Sequence, residues 1–177
     1  MVKILKFLLY FIIFIFGVLY FSPKISAYYF LEQNLKQEKV VISEEKLQDK
    51  GFVLALENLK ISYEDIPSVD ITEAKISLFL FYNRVEIKDI TLNKMLASFA
   101  PLHIKSVNIR YTIMHPLTVL AKAEGDFGVA NATFSLKDEK LKVFLKPSKK
   151  MLRGYQNSLR EMKKNKKGEY LYEQSIK

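Results

Sequence analysis

Three hydrophobic regimes follow one another along the chain. The first is a continuous apolar run over residues 7–21 (FLLYFIIFIFGVLYF), without a charge or a strong hydrogen-bonding group other than Tyr. Ile4, Leu5 and a Lys6 able to snorkel bring it to 18 residues. As a helix this spans about 27 Å, enough for one membrane crossing. Its anchor residues include Phe7, Leu8, Phe11, Ile12, Phe14, Phe16 and Phe21. The run is apolar all round rather than on one stripe, which argues against a buried core helix. Lys3 and Lys6 precede it and only Lys24 follows closely. The positive-inside rule then predicts a single-pass inner-membrane protein with a cytoplasmic N-terminus and its remaining residues in the periplasm. A cleaved signal peptide shares the basic start and the apolar run. However, Ile25-Ser26-Ala27 places a bulky residue where cleavage favours a small one, so the uncleaved anchor is preferred.

Residues 1–27 form the expected anchor, and 28–50 a juxtamembrane helical segment. Pro23 ends or bends the first helix, and Tyr28, Tyr29, Phe30 and Leu31 fall where aromatic belts meet the membrane–water interface. A polar helix continues to about Glu38. Val40, Val41 and Ile42 then read as a short strand, and Ser43 as the cap of a short helix through Lys50 that Gly51 terminates.

The second regime, residues 51–147, has a period of two. Leu54 and Leu56, then Leu59, Ile61 and Tyr63, alternate with more polar neighbours. Val69 and Ile71, then Ala74, Ile76, Leu78 and Leu80, form a second long strand whose phase changes near Glu73, as a β-bulge would impose. Val85, Ile87, Ile90 and Leu92 repeat the phase change. Residues 95–99 read as one helical turn stopped by Pro101. Further strands are expected over 104–113, 117–124, 129–136 and 141–146, joined by short turns. Seven strands without a crossover helix predict a mainly β fold: an antiparallel meander with one apolar face, curled or closed into an incomplete barrel. Leu54, Leu56, Ile76, Leu78, Leu80, Ile87, Ile109, Val119, Phe134, Val143 and Leu145 are its inward positions. They are either an ordinary closed core or a groove that an acyl chain fits.

Beyond Pro147 the period returns to that of a helix. Ser148 is a candidate N-cap, and Met151, Leu152, Tyr155, Leu159 and Met162 share one stripe. Lys149, Lys150, Arg153, Arg160, Lys163 and Lys164 fill most of the remaining surface. Residues 148–177 thus read as a basic amphipathic helix and tail, with Glu169-Tyr170-Leu171-Tyr172 as a last strand or a segment packed on the helix. The helix either docks onto anionic headgroups or an acidic partner, or covers the sheet with its lysines in water.

Charge adds to this picture. The net charge of +9 lies at the ends, because residues 28–147 carry 16 basic and 16 acidic side chains. A nucleic-acid module spreads basic residues over its folded face, so nucleic acid is not an expected partner. The chain has no Cys, which excludes thiol nucleophiles, thiolate metal sites and a lipoprotein anchor. His103 and His115 both sit at turns without an adjacent acid and read as turn residues rather than ligands. The acid pairs Glu64-Asp65 and Asp138-Glu139 flank turns as well, and read as turn residues rather than catalytic carboxylates. Gly125-x-x-Gly128 lies between strands and lacks the helix and Lys-Ser/Thr of a phosphate loop. Asn131-Ala132-Thr133 matches the short glycosylation pattern, which recurs by chance. No enzyme activity, cofactor or metal is expected.

An N-terminal anchor followed by a neutral body of long alternating strands resembles the AsmA-like envelope proteins and the allied type II secretion N-protein. The likeness lies in residues 69–92, where an alternating strand turns at Phe81-Tyr82-Asn83 into Val85-Glu86-Ile87. It lies also in Ala123-Glu124-Gly125-Asp126-Phe127-Gly128 through Leu136, a Gly-punctuated strand pair. In size, anchor and β-rich body the chain is similar to the lipopolysaccharide-transport C component. These resemblances imply a non-enzymatic role in envelope biogenesis, lipid handling or secretion-apparatus assembly, with membrane, lipid, and envelope or secretion proteins as partners. The alternatives are a protein-binding scaffold with a closed β core, and a nucleic-acid-uptake accessory using the basic tail.

Overall fold

The structure, a computed structural model, describes residues 2–79, 81–97, 100–165 and 168–175. Helix α1 (Val2–Phe21) is exposed along its length, as an all-apolar helix must be when no core surrounds it. After a break at Ser22-Pro23, α2 (Lys24–Gln37) turns back onto the body. Eleven strands follow in one open antiparallel sheet: β1 (Val40–Ser43), β2 (Lys46–Asp49), β3 (Val53–Tyr63), β4 (Ile66–Leu78), β5 (Tyr82–Leu92), β6 (His103–Thr112), β7 (Thr118–Gly125), β8 (Gly128–Ser135) and β9 (Lys140–Pro147), then β10 (Lys163–Lys164) and β11 (Tyr170–Ser175). Two short helices, α3 (Lys149–Gly154) and α4 (Gln156–Arg160), stand between β9 and β10.

Strand makes up 51% of the chain, and β3 to β9 form the expected seven-stranded meander, each strand paired with the next in sequence. The sheet is open. One edge is shared by β1 and β2, which both pair with β3, and the other is β10.

Two expectations are corrected. Residues 46–49 are strand β2 and not a helix capped by Ser43. Leu47 lies opposite Leu56 and packs into the core, a placement that one apolar residue flanked by polar ones favours in a strand. Gly51, at φ 77°, serves the β2–β3 turn rather than a helix end, and a Cβ there would collide with the Tyr20 ring. The C-terminal helix is also not continuous. Tyr155 leaves helical geometry (φ −130°, ψ 38°), and Lys163 and Lys164 belong to β10. The reading of residues 169–172 as a last strand holds, since β11 pairs with β9. The helical turn expected over 95–99 is a 3-10 turn at Lys94–Leu96 capped by the Asn93 side chain, and residues 98 and 99 lie outside the described residues.

The phase changes line up across the sheet. Leu56-Glu57-Asn58-Leu59, Ile71-Thr72-Glu73-Ala74, Ile87-Lys88-Asp89-Ile90 and Ile104-Lys105-Ser106-Val107 occupy neighbouring strands. In each, two polar residues interrupt the alternation. Asn58, Thr72, Asp89 and Lys105 fall on one rung and are all exposed, and Asn58 and Asp89 adopt left-handed backbone (φ 57° and 50°). Without this step, the period of two would turn Leu59, Ile71, Ile90 and Ile104 to water. With it, Leu56, Leu59, Ile71, Ala74 and Ile90 bury together.

Left-handed backbone favours Gly over any side chain with a Cβ and disfavours branched residues most. Asp89→Gly is therefore expected to leave stability unchanged or raise it by about 0.5–1 kcal/mol, and Asp89→Val to lower it by about 1–2 kcal/mol. Denaturant melts of the full chain in detergent check both. A Val variant as stable as the parent would mean that the stepped rung is not required.

Candidate functional site

The sheet register assembles the predicted inward residues into rows on one face. One row runs Leu54, Ile76, Val85, Ile109, Ala121, Ala132, Val143, Tyr172 across eight strands. The next runs Leu56, Ala74, Ile87, Val107, Ala123, Ala130, Leu145, Tyr170. Val119 and Phe134 are paired on the same face, and Leu78 extends the row of Ile76 along β4. Leu80 lies outside the described residues.

This face is covered at its two sides. At one, Tyr28 and Ile25 of α2 pack on a cluster containing Leu54, Leu56, Leu59, Ile71, Ala74 and Ile90. At the other, Met151 and Leu159 from α3 and α4 pack on Leu145, with Phe127, Ala130, Tyr155, Met162 and Tyr170 around them. Ile109, Val119, Ala121, Ala132, Phe134 and Val143 belong to neither cluster and are half-buried. Of the predicted inward set, Leu54, Leu56 and Leu145 are buried, Ile76 and Ile87 half-buried, and Leu78 exposed. The middle of the face is thus an apolar surface without cover among the described residues. It is lowest along β7 and β8, where Ala121 and Ala132 stand between the bulkier Ile109 and Val143.

The opposite face is mainly polar, with Leu120, Phe144 and Leu171 among its apolar members, and many of its charges are paired. Lys75, Glu86, Asn108, Lys122 and Asn131 form one of its rows. Glu73 accepts from Lys75 and Lys88, which hold its carboxyl below the usual carboxylate range, Lys75 first. Arg84 is engaged by Asn108 and Glu86, Lys122 by Glu124, and Glu173 by Lys142 and Lys140. Exposed pairs of this kind add little stability, but they leave few free charges to receive a ligand.

The helix α1 is joined to the body at a single knot. Lys24 is buried, and its Nζ donates to the carbonyls of Tyr20 and Ser22 at 3.2 Å and lies 3.7 Å from Asp49 Oδ1. Its charge also complements the negative end of the α1 dipole. The same Asp49 oxygen accepts from the Gly51 N–H at 2.9 Å, which ties the β2–β3 turn to α1. Phe16 and Tyr20 meet Phe52 edge-on, with ring centroids 6.0 and 5.4 Å apart, and Phe52 stacks on Phe79 at 5.4 Å. Sequence reasoning missed this knot, because a lone Lys after an apolar run reads as a flank and not as a bridge.

The remaining candidates fall apart in space. His103 opens β6 and His115 lies in the turn beyond its other end. Glu64-Asp65 form the β3–β4 turn with positive φ, and Asp138-Glu139 the β8–β9 turn at the opposite end of the sheet. Gly125 and Gly128 close a tight hairpin, where Gly128 (φ 117°) has no room for a Cβ against Lys146 O. Lys150 is bound to Asp126 at 2.5 Å, and Lys149, Arg153 and Arg160 are exposed. The helices therefore turn Met151 and Leu159 to the sheet and their basic residues to solvent. Of the aromatic belt, Tyr29 and Phe30 are exposed, whereas Tyr28 faces the sheet and is buried. Comparison with protein-family models, curated proteins and solved structures returned no match for this chain.

The Tyr28 hydroxyl is buried close to the Glu45 carboxylate but makes no well-formed hydrogen bond. Burial raises its pKa above the ordinary value of 10.0, reinforced by the Glu45 and Glu32 carboxylates. The unfolded chain then ionises first, so stability contributed by Tyr28 is lost as pH rises through about 10. Tyr28→Phe is expected to match or exceed wild-type stability at neutral pH and to flatten the alkaline loss, since it removes an unsatisfied hydroxyl. Tyr28→Ala is expected to cost about 3–5 kcal/mol. Melts of the three proteins at neutral pH and across the tyrosine range check this. A Phe variant as damaging as Ala would contradict it.

Proposed function

We propose that this is a non-enzymatic, single-pass membrane protein whose β-domain receives lipid acyl chains on its apolar face. The observation that carries the reading is the uncovered middle of that face, between the cluster under α2 and the cluster under α3 and α4. A continuous apolar surface on a sheet whose other face is mainly polar marks a surface made for contact. An acyl chain suits it because the surface is apolar throughout, and because it leads along the strands toward the helix that is long and apolar enough to cross a membrane.

Lys3 and Lys6, in the first turns of α1, favour an N-terminus in the cytoplasm and a β-domain in the periplasm, anchored in the inner membrane. Lipid handling in envelope biogenesis fits that placement, as does assembly of a secretion apparatus. The basic residues of α3 and α4 are surface charges on covering helices in this reading, which gives the nucleic-acid alternative no folded basic face.

The test is native mass spectrometry of the full chain released from detergent, compared with Ile109→Glu and Ala121→Glu. Wild type is expected to retain masses of bound phospholipid or glycolipid, and each Glu variant to lose them while still melting cooperatively, because both sites lie outside the two buried clusters. A wild-type chain free of lipid, or adducts that persist in both variants, would overturn the reading.

A further inference from the structure

We propose that the turns at one end of the sheet insert into the surface of the bilayer that α1 crosses, so that the apolar face opens directly into lipid. This rests on the membrane-spanning reading of α1. The meander sends alternate turns to opposite ends, and backbone bonds join successive turns at the α1 end: Ile113 N–H to Phe81 O, and Leu136 N–H to Leu117 O. On these turns Phe81, Ile113, Met114, Leu117 and Leu136 are all exposed, Phe81 to 66% and Met114 to 79%.

The turns at the other end are built differently. Their tips are Glu64-Asp65 and Asp126, engaged by Lys39 and Lys150. Exposed apolar residues there, Tyr63, Ile66 and Met95, flank the tips or sit on the 3-10 turn. The asymmetry follows the anchor. Apolar residues crowd the turns where α1 joins the sheet, although the β8–β9 turn there also carries the exposed Lys137-Asp138-Glu139, and the tips away from α1 are charged.

Depth agrees with this orientation. Phe16 and Tyr20 both touch Phe52, so the Phe52–Phe79 stack lies beside the last turn and a half of α1. At 1.5 Å per residue, Phe16 is about 7 Å below Phe21. That falls in the roughly 5–10 Å reached by side chains seated at the headgroup–acyl boundary. Fixed by the Lys24–Asp49 bridge and the Gly51–Tyr20 contact, the turns cannot leave that level without breaking the join. The occupant is therefore the bilayer surface, because it is continuous with the medium around α1. In sequence, Ile113, Leu117 and Leu136 continue the alternation of Ile109, Val119 and Phe134, so the apolar face runs unbroken to the inserted tips.

The chain has no Cys, so single labels are unambiguous. The full chain is reconstituted in phosphatidylcholine–phosphatidylglycerol vesicles, with an environment-sensitive fluorophore at Phe81→Cys, Met114→Cys, Leu136→Cys, Asp65→Cys or Ile12→Cys. Labels at 81, 114 and 136 are expected to shift to the blue, lose fluorescence to doxyl-labelled acyl chains and resist aqueous iodide, while the label at 65 behaves oppositely. Quenching by lipid at 12, with iodide access at 81, 114 and 136, would overturn the insertion and leave the anchor standing. Shielding of the tips from both quenchers would show a protein occupant, such as a second copy, and would also overturn it. Absence of lipid quenching at 12 would remove the anchor, and the insertion with it.

Discussion

A sheet with one apolar face needs cover in proportion to its width, and here the sheet outgrows what the chain supplies. Eleven strands present a face that the register keeps apolar from Leu54 to Tyr172. Three short helices, α2 to α4, are available to cover it, and they stand at its two sides. The sheet does not close on itself, so Ile109, Ala121, Ala132 and Val143 on the middle strands are only half-buried and join neither helix-covered cluster. Every functional statement follows from that shortfall. The polar face offers solvated, paired charges, whereas the apolar face stays in water only at a cost that an acyl chain would remove.

The stepped rung of Asn58, Thr72, Asp89 and Lys105 makes the face wide in the other direction. By turning two consecutive residues outward in four adjacent strands, it places Leu59, Ile71, Ile90 and Ile104 on the same side as Leu56, Ala74, Ile87 and Val107. The strands therefore carry one apolar surface past the step instead of switching faces. α2 can pack across the step, with Tyr28 in the cluster that spans it. The helix that binds the body to the anchor is thus seated on the most continuous part of the core, and the Lys24–Asp49 bridge sets where α1 leaves it.

Much of this was legible in the amino-acid pattern. The alternation of Leu54, Leu56, Ile76 and Ile109 announced the meander, and the slip at Glu73 announced the change of phase, although β4 keeps its register with β5 there and shifts against β3 only at Ile61/Ser62. β2 was hidden, since four residues with one Leu carry no measurable period and its identity comes from pairing with β3. The break at Tyr155 was hidden too, because Met151, Leu152, Tyr155, Leu159 and Met162 keep a helical stripe that backbone geometry interrupts. The knot of Lys24, Asp49, Gly51 and Tyr20, and the gathering of Phe81, Met114 and Leu136 at one end, depend on topology, which no local pattern encodes. Whether the apolar positions were core or open surface depended on how much of the face the helices reach, a question of area rather than of residue type.

The central claim is that an acyl chain occupies the middle of the apolar face, and neighbouring residues on β6 test it most directly. Ile109 points to the apolar face and Asn108 to the polar one, one residue apart along β6. A photoactivatable phenylalanine placed at each position in turn, in the full chain in native membranes, would be irradiated and its adducts weighed. The account predicts lipid adducts at 109 and none at 108. Adducts of 109 with protein, or equal lipid labelling at both positions, would contradict it.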